Sequence, residues 1–285
     1  MKKYIFFLLY FLLMISGLSF GQNAAPWYTV NEVGPKVWQI GDHGADNMYL
    51  VEGRDSVMLI DNGLGVADIM AQVRKLTSKP VIVVITHGHP DHAGSDYQFE
   101  KVYINPLDSS SARSVNEAQA RAGSSSSMLH GNTPSAGDQY KGKICNTKMV
   151  PVHDGSIFNL GDRKIQVIET PGHTPGEIVL LDIQNKLLFT GDNNNLLVWL
   201  FLKNCLPLHE YLASLEKQAK RLPEFTILLP GHGAPIPSDF IKDQVACVKG
   251  ILDGSLERKP YQSFAGNAMI CTFGRASVAF DPGNL

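Results

Sequence analysis

Residues 86–94 read T-H-G-H-P-D-H-A-G, so three of the nine histidines and one carboxylate fall within six consecutive positions of this 285-residue chain. Imidazole and carboxylate groups are the ligands that zinc and similar divalent ions prefer. His87 and His89 are spaced to bind one ion together. Asp91 and His92 fall on the next turn of the chain and are spaced to bind a second ion. The motif therefore predicts a metal centre.

Three further motifs each offer one candidate ligand at the end of a predicted strand. They read T-P-G-H-T-P-G at 170–176, T-G-D at 190–192 and P-G-H-G at 230–233. Their candidate ligands are His173, Asp192 and His232. The other four histidines are expected at the surface or in hydrogen bonds: His43, His130, His153 and His209.

Apolar runs predict the elements that must position these side chains. The run V-I-V-V-I at residues 81–85 is β-branched and apolar throughout, which is typical of a strand covered on both faces. Further strands are expected at 37–40, 48–51, 57–60, 102–104, 149–152, 156–160, 164–169, 178–183, 186–190, 225–229, 268–272 and 276–280. Helical periodicity is found at 63–75, 208–222 and 239–252. Two similar series of strands and helices follow each other without a linker, which predicts one domain over residues 22–285.

The order of the four motifs resembles that of the metallo-β-lactamase superfamily of hydrolases, and the resemblance covers about residues 37–233. It implies an α/β fold, specifically a four-layer αβ/βα sandwich with a two-metal site at one edge. It also implies two Zn²⁺ ions per chain as cofactors. The implied ligands are His87, His89 and His173 for the first ion, Asp91, His92 and His232 for the second, and Asp192 as the bridge.

The same resemblance implies hydrolysis by a metal-activated water, with Asp91 and His232 also taking part in catalysis. Asp61 in the segment L-I-D-N-G matches a family position beside the site, where support of a ligand is expected. The family's true lactamases carry Cys or Ser where this chain has Asp192, which disfavours β-lactamase activity. The family's diiron oxygen reductases usually carry Glu where this chain has His89.

The expected function is that of an exported two-zinc hydrolase that cleaves an ester, thioester or lactone bond. A phosphodiesterase or phosphorylcholine esterase and a β-lactamase are the alternatives within the hydrolases. Glyoxalase II shares the ligand set, but its helical glutathione-binding region has no counterpart in residues 239–285. Two alternatives of other classes are a persulfide dioxygenase with one iron and a non-catalytic zinc module.

Two segments have open interpretations. The run L-L-V-W-L-F-L at 196–202 begins four residues after Asp192 and is expected either to pack in the core or to form an apolar wall over the metals. Residues 107–147 are rich in Ser, Gly and Asn and predict a helix followed by a long surface excursion. Such an excursion is either a lid over the site or a tolerated loop.

The first residues predict export. Lys2 and Lys3 precede the apolar stretch 4–14, and Ser19 and Gly21 are the small residues of a cleavage site before Gln22. A signal peptide is therefore expected over residues 1–21, with a periplasmic or secreted mature protein, and an uncleaved membrane anchor is the alternative.

Charge and cysteine content limit the partners. The formal net charge is −2, so nucleic acid is not an expected partner, and a small-molecule substrate is. The four cysteines form no C-x-x-C pair, and the sequence is compatible with disulfides or with buried free thiols. They are Cys145, Cys205, Cys247 and Cys271. The oligomeric state is open.

Overall fold

The apolar runs form strands of three sheets in the computed structural model, which describes residues 26–122, 129 and 132–285. The first sheet has seven strands in chain order. They are β1 (Tyr28–Gly34), β2 (Val37–Asp42), β3 (Asn47–Glu52), β4 (Val57–Ile60), β5 (Val81–Val84), β6 (Lys101–Ile104) and β7 (Lys148–Pro151). Strands β1 to β4 are antiparallel, and β4 to β7 run parallel to one another.

The second sheet has six strands in the order β14-β13-β11-β10-β9-β8. They are β8 (Ile157–Asn159), β9 (Lys164–Glu169), β10 (Ile178–Asp182), β11 (Leu187–Gly191), β13 (Ile227–Pro230) and β14 (Ile236–Pro237). Strands β11 and β13 are parallel, and the other neighbours are antiparallel.

A third sheet of four strands, in the order β12-β17-β16-β15, brings the end of the chain beside β12. Its strands are β12 (Leu197–Leu200), β15 (Lys259–Ser263), β16 (Gly266–Phe273) and β17 (Ala276–Phe280). The helices within the described residues are α1 (Ile69–Leu76), α2 (Pro90–Ala93), α3 (Ser109–Ala122), α4 (Leu208–Ala219) and α5 (Phe240–Leu252). Short 3₁₀ turns lie at Asp96–Gln98 and Leu222–Glu224.

Alternating side chains divide the core into layers. In β4, Met58 and Ile60 pack between the two large sheets, whereas Val57 and Leu59 face the side on which α1 packs. In β10, Leu180 packs between the sheets, and Leu181 faces the core formed with α4, α5 and the third sheet. The predicted αβ/βα layering is thereby confirmed.

Several boundaries differ from the sequence prediction. The helix predicted from Gly63 begins at Ile69, because Gly63 and Gly65 take positive φ values of 79° and 78° and the Asp68 side chain caps the helix by accepting from the Ala71 amide at 2.8 Å. The closing hairpin predicted near the end of the chain is present as β16 and β17. Its partners β12 and β15 were not predicted as a sheet.

No helix within the described residues is both long and apolar enough to span a bilayer. The four cysteines are free thiols, and three of them, Cys205, Cys247 and Cys271, are buried. Of the segment 107–147, the predicted helix is α3, and residues 123–128 and 130–131 lie outside the described residues.

One buried guanidinium ties the two large sheets together. Arg163, before β9, donates from Nε to Asp182 Oδ2 at 2.6 Å. Its Nη1 donates to the carbonyls of Pro35, Lys36 and Glu52, at 3.1, 3.4 and 3.2 Å, in the first sheet and its connections. Because Asp182 is fully buried, removal of Arg163 leaves a carboxylate without its counter-charge.

We expect Arg163→Ala to lower the free energy of unfolding by about 3–5 kcal/mol, the usual cost of breaking a buried ion pair from one side. Arg54→Ala is the matched control, since Arg54 pairs with Asp55 at the surface and both side chains are more than half exposed. Arg54→Ala should lower the free energy of unfolding by less than about 1 kcal/mol. Urea denaturation of both variants measures the difference, and equal losses would show that Arg163 does not hold the sheets together.

Candidate metal centre

The predicted ligands lie where strands of both large sheets end. Parallel pairing of β4 with β5 and of β11 with β13 brings the carboxyl ends of these strands to the same edge. The loop after β5 and helix α2 carry the first histidine motif, and the loops after β9, β11 and β13 carry the other three. Four short motifs that are distant in sequence therefore meet at one edge of the sandwich.

All seven predicted ligands come together there; five of them are buried, and His89 and His232 are partly exposed. Three groups have ligand atoms within 4.8 Å of one another. They are His87 with His89 and His173, His87 with His92 and Asp192, and Asp91 with His92 and His232.

Ring nitrogens converge on one side of this cluster. His89 Nδ1 lies 3.1 Å from His87 Nε2 and 2.9 Å from His173 Nε2. On the other side, His232 Nε2 lies 3.2 Å from Asp192 Oδ2 and 3.4 Å from Asp91 Oδ2. Carboxylate oxygens and imidazole nitrogens that converge in this way are a suitable donor set for divalent metal ions.

Two buried atoms of the cluster support the fit to a metal. His92 Nε2 and Asp192 Oδ1 have no hydrogen-bond partner among the described residues, although both are shielded from solvent. Buried polar atoms without partners are rare because each costs its full desolvation free energy. The two atoms lie 3.4 Å apart, so a cation bound beside both would satisfy them.

The second nitrogen of most rings is held by the protein. His173 Nδ1 lies 2.7 Å from the Trp199 carbonyl oxygen, and His89 Nε2 lies 3.2 Å from Asn204 Oδ1. His87 Nδ1 lies 3.1 Å from the Thr86 hydroxyl. Such contacts fix the ring orientation and the tautomer that presents the other nitrogen to a metal. Sequence reasoning missed Trp199 and Asn204 in this role, because neither belongs to a ligand motif.

Asp61 lies behind His92. Its Oδ2 accepts from His92 Nδ1 and from the Thr86 hydroxyl, each at 2.8 Å, and its Oδ1 accepts from the Thr86 amide at 2.7 Å. Asp61 has a φ of 60°, which is uncommon outside glycine and is held here by these bonds. The residue therefore orients His92 rather than joining the cluster.

Glycine is required where the loops approach most closely. A Cβ on Gly231 would lie 2.5 Å from Asp192 Oδ1 and 2.7 Å from His92 Cε1, closer than atoms can pack. The Gly231 amide also donates to the Gly191 carbonyl at 2.7 Å, which fixes the spacing of the loops after β11 and β13.

Burial and charge divide the cluster into two sides. Burial lowers the pKa of His89 to about 4 and also lowers the pKa of His87 and His173. Burial acts the same way on His232, but the carboxylates of Asp192 and Asp91 outweigh it and raise the pKa of His232 to about 10. One side thus offers neutral imidazoles, and the other side attracts positive charge.

A cavity of about 600 Å³ opens over the cluster. It is lined by Gly44, Ala45, His89, Pro90, Asp91, His173, Asp192, Asn195, Leu196, Leu197, Trp199, Leu202, His232, Gly233, Phe264 and Ala265. The sequence left open whether the apolar run 196–202 packs in the core or lines the cavity. Because side chains alternate along the strand, Val198 and Leu200 lie in the core, whereas Leu197 and Trp199 line the cavity. Phe264 and Ala265 were missed, since they come from the distant β15–β16 turn.

Comparisons with known proteins agree with the fold. Residues 41–232 match the family model of the metallo-beta-lactamase superfamily, so the chain belongs to that superfamily. A human protein named acyl-coenzyme A thioesterase MBLAC2 is 28% identical over 236 residues, which cover 74% of this chain and 82% of the relative. An uncharacterized protein of Aquifex aeolicus is 27% identical over 64% of this chain and 80% of its own length.

Solved structures share the fold. The sec-alkylsulfatase Pisa1 from a Pseudomonas species superposes with a TM-score of 0.61 and 18% identity, over 80% of this chain and 42% of the sulfatase. A metallo-beta-lactamase from Pontibacter korlensis gives a TM-score of 0.54 and 18% identity, over 78% of this chain and 99% of the lactamase. Family, fold and relatives together make the protein a metal-dependent hydrolase.

The prediction of a periplasmic or secreted protein is wrong by this comparison. The relatives that cover 74% of the chain are acyl-coenzyme A thioesterases and give no support to export. The predicted signal peptide at residues 1–21 lies outside the described residues. A basic start, an apolar stretch and small residues form a pattern of composition alone, which explains how it misled the prediction.

Asp61→Asn tests the support of His92. The change is isosteric, and Asn tolerates the positive φ, but its amide cannot accept every bond that the carboxylate accepts. We expect metal affinity to fall by about 10–100-fold, as is usual when the partner of a ligating histidine is lost. Competition with a chelator, followed by elemental analysis, measures the affinity.

Asp55→Asn is the control for this variant, because Asp55 is an exposed carboxylate that pairs with its neighbour Arg54, away from the cluster. Circular dichroism establishes that both variants are folded. Equal metal retention by Asp61→Asn and Asp55→Asn would contradict the role given to Asp61.

Proposed function

We propose that the protein is a two-zinc hydrolase of acyl thioesters. His87, His89 and His173 would hold the first ion, and Asp91, His92 and His232 the second, with Asp192 between them. The separations within the cluster support this division, because Asp192 Oδ2 lies 3.5 Å from His173 Nε2 and 3.2 Å from His232 Nε2, so its carboxylate adjoins both sides. Bound zinc would supply Lewis acidity and lower the pKa of water toward about 7.

The chain's own residues bind the substrate and move the proton. Asp91 lines the cavity, and its Oδ2 lies 3.4 Å from His232 Nε2, so both groups face the same point of the cluster. Asp91 orients the attacking water and accepts its proton as the C–O bond to the acyl carbon forms. The carbon–sulfur bond then breaks, and the proton goes to the leaving thiolate, giving a carboxylic acid and a thiol.

The apolar cavity directly over the cluster is the observation that carries the choice of substrate. Leu196, Leu197, Trp199, Leu202 and Phe264 form its wall, and none of its lining residues in the described chain is Lys or Arg. An acyl chain is favoured by such a wall, whereas a phosphoryl group usually needs cationic partners as well as metals. The thioesterase name of the human relative supports the same class of substrate.

The experiment is a substrate panel with zinc-loaded protein. Acyl-coenzyme A thioesters from acetyl to dodecanoyl are compared with N-acetylcysteamine thioesters and with esters and lactones of the same acyl groups. We expect kcat/KM to rise with acyl length by no more than about fourfold per added methylene, the limit set by burial of each CH₂. A preference for bis(p-nitrophenyl) phosphate, a phosphorylcholine ester or a cephalosporin would contradict the proposal.

His89→Ala tests the ligand assignment. We expect two zinc ions per wild-type chain. The variant should bind less zinc and retain less than about one-tenth of wild-type turnover, because loss of a residue that supports a ligand already lowers metal affinity or activity by about tenfold or more. His153→Ala is the control, because His153 is an exposed histidine outside the cluster. Full zinc content and turnover in folded His89→Ala would exclude His89 as a ligand.

A further inference from the structure

The turn between β15 and β16 has an unusual composition for its geometry. Ser263 pairs with Gly266, so the loop consists of only two residues, Phe264 and Ala265. Two-residue hairpin loops favour Asn-Gly, Asp-Gly or a leading Gly, because their central residues need positive φ. Neither Phe264 nor Ala265 has a positive φ. The identity of Phe264 is therefore not explained by the turn.

Flanking residues hold the turn instead. The Ser263 hydroxyl accepts from the Ala265 amide at 3.1 Å and donates to the Gly266 carbonyl at 3.4 Å. Gly266 takes a φ of 138°, a conformation that glycine adopts readily and other residues do not. The backbone of the turn is thus held by Ser263 and Gly266.

The ring of Phe264 packs on the cavity wall. Its centroid lies 5.5 Å from that of Trp199, and Trp199 in turn lies 5.3 Å from Phe201. Trp199 Nε1 donates to the Tyr261 hydroxyl at 3.1 Å, which ties β15 to β12. These aromatic side chains therefore join the hairpin to the strand that lines the cavity, over a site whose ligands lie below them.

Phe264 is nevertheless 62% exposed. Leu196, on the same cavity, is 51% exposed. Exposed apolar side chains at the rim of an apolar cavity gain hydrophobic stabilisation only when a ligand covers them. An acyl chain that extends from the metal site toward the rim would cover both.

We infer that Phe264 and Trp199 form an acyl clamp that makes the enzyme select long acyl chains, an inference that rests on the proposed thioesterase function. The thioester carbon lies at the metal cluster, and the chain runs along Leu197 and Trp199 to Phe264. Short acyl groups end before Phe264 and do not reach the clamp. Phe264 is thus a specificity-determining residue contributed by the C-terminal hairpin.

The first test compares chain-length profiles of the zinc-loaded variants. Phe264→Ala should lower the ratio of kcat/KM for decanoyl-coenzyme A to that for acetyl-coenzyme A by about tenfold, in keeping with the loss of one aromatic contact to the chain. Phe264→Leu should recover part of the ratio. Phe273→Ala is the matched control, because Phe273 is 45% exposed at the far end of β16 from the turn and does not line the cavity.

The second test measures binding without turnover. Bromine quenches tryptophan fluorescence on contact, so 10-bromodecanoate should quench the fluorescence of the wild-type protein and of the Phe273→Ala variant. Phe264→Ala should need about a fivefold higher concentration of 10-bromodecanoate for the same quenching. Trp199→Phe, which leaves Trp27 and Trp38 in place, should abolish most of the quenching.

These readouts separate the inference from the proposed function. Hydrolysis of thioesters with the same chain-length ratio in Phe264→Ala and Phe273→Ala would overturn the clamp and leave the function standing. If neither the wild type nor the variants hydrolyse thioesters, but quenching still depends on Phe264 and Trp199, the proposed function is overturned and the binding site for acyl chains is supported. Tighter binding of tetramethylammonium than of bromodecanoate would overturn the clamp in favour of a cation site.

Discussion

Two buried carboxylates face the same imidazole, and the rest of the site depends on the charge they require. Asp91 and Asp192 lie 3.4 and 3.2 Å from His232 Nε2, and both are almost inaccessible to solvent. Removing a carboxylate from water costs several kcal/mol, so two of them can be buried together only beside positive charge. The same carboxylates raise the pKa values of His92 and His232, because they stabilise the positively charged form of each imidazole. Divalent cations held by the cluster would meet this demand for positive charge.

Hydrogen bonds of the surrounding frame hold these groups in place. Carboxylates and imidazoles that converge within 3.5 Å must be held against repulsion, and the frame does so with backbone groups and buried side chains. The Asp192 amide donates to Glu177 Oε1 at 2.9 Å, and the His232 amide donates to Asn195 Oδ1 at 3.1 Å. Asp108 accepts from the amides of Gly88 and Gly176, at 2.9 and 2.8 Å, and so joins the first histidine loop to the loop after β9.

The ligand cluster could be predicted from sequence because each motif is local and its residue types have few other uses. His87 to His92 follow an apolar strand, and a strand followed by a tight turn already fixes where such side chains point. The strands themselves were predictable from their apolar runs, and the layering followed from the family resemblance. The start of α1 was misjudged because apolar periodicity continues through Gly63 and Gly65, whose positive φ values prevent a helix.

The cavity wall could not be predicted in the same way, because it depends on pairing between segments that are distant in sequence. Trp199 faces the cavity because β12 pairs in parallel with β17, with Trp199 opposite Ala279, and β15 then reaches the rim through β16. No local pattern reports that register. The periodicity of residues 196–202 could show only that the segment is apolar, and alternation in the folded strand then sends Val198 to the core and Trp199 to the cavity.

Trp199 contributes to the site separately through its backbone and through its side chain. Its backbone carbonyl orients His173 at 2.7 Å, while its indole ring lines the cavity. The carbonyl is present whatever side chain the residue carries, so long as β12 keeps its register with β17. The cavity wall can therefore change in shape through Trp199 and the β15–β16 turn without loss of the bond that fixes a metal-site imidazole. The third sheet supplies most of the apolar side chains of this wall, and the loops after the strands of the two large sheets supply the imidazoles and carboxylates, so separate parts of the fold build the wall and the cluster.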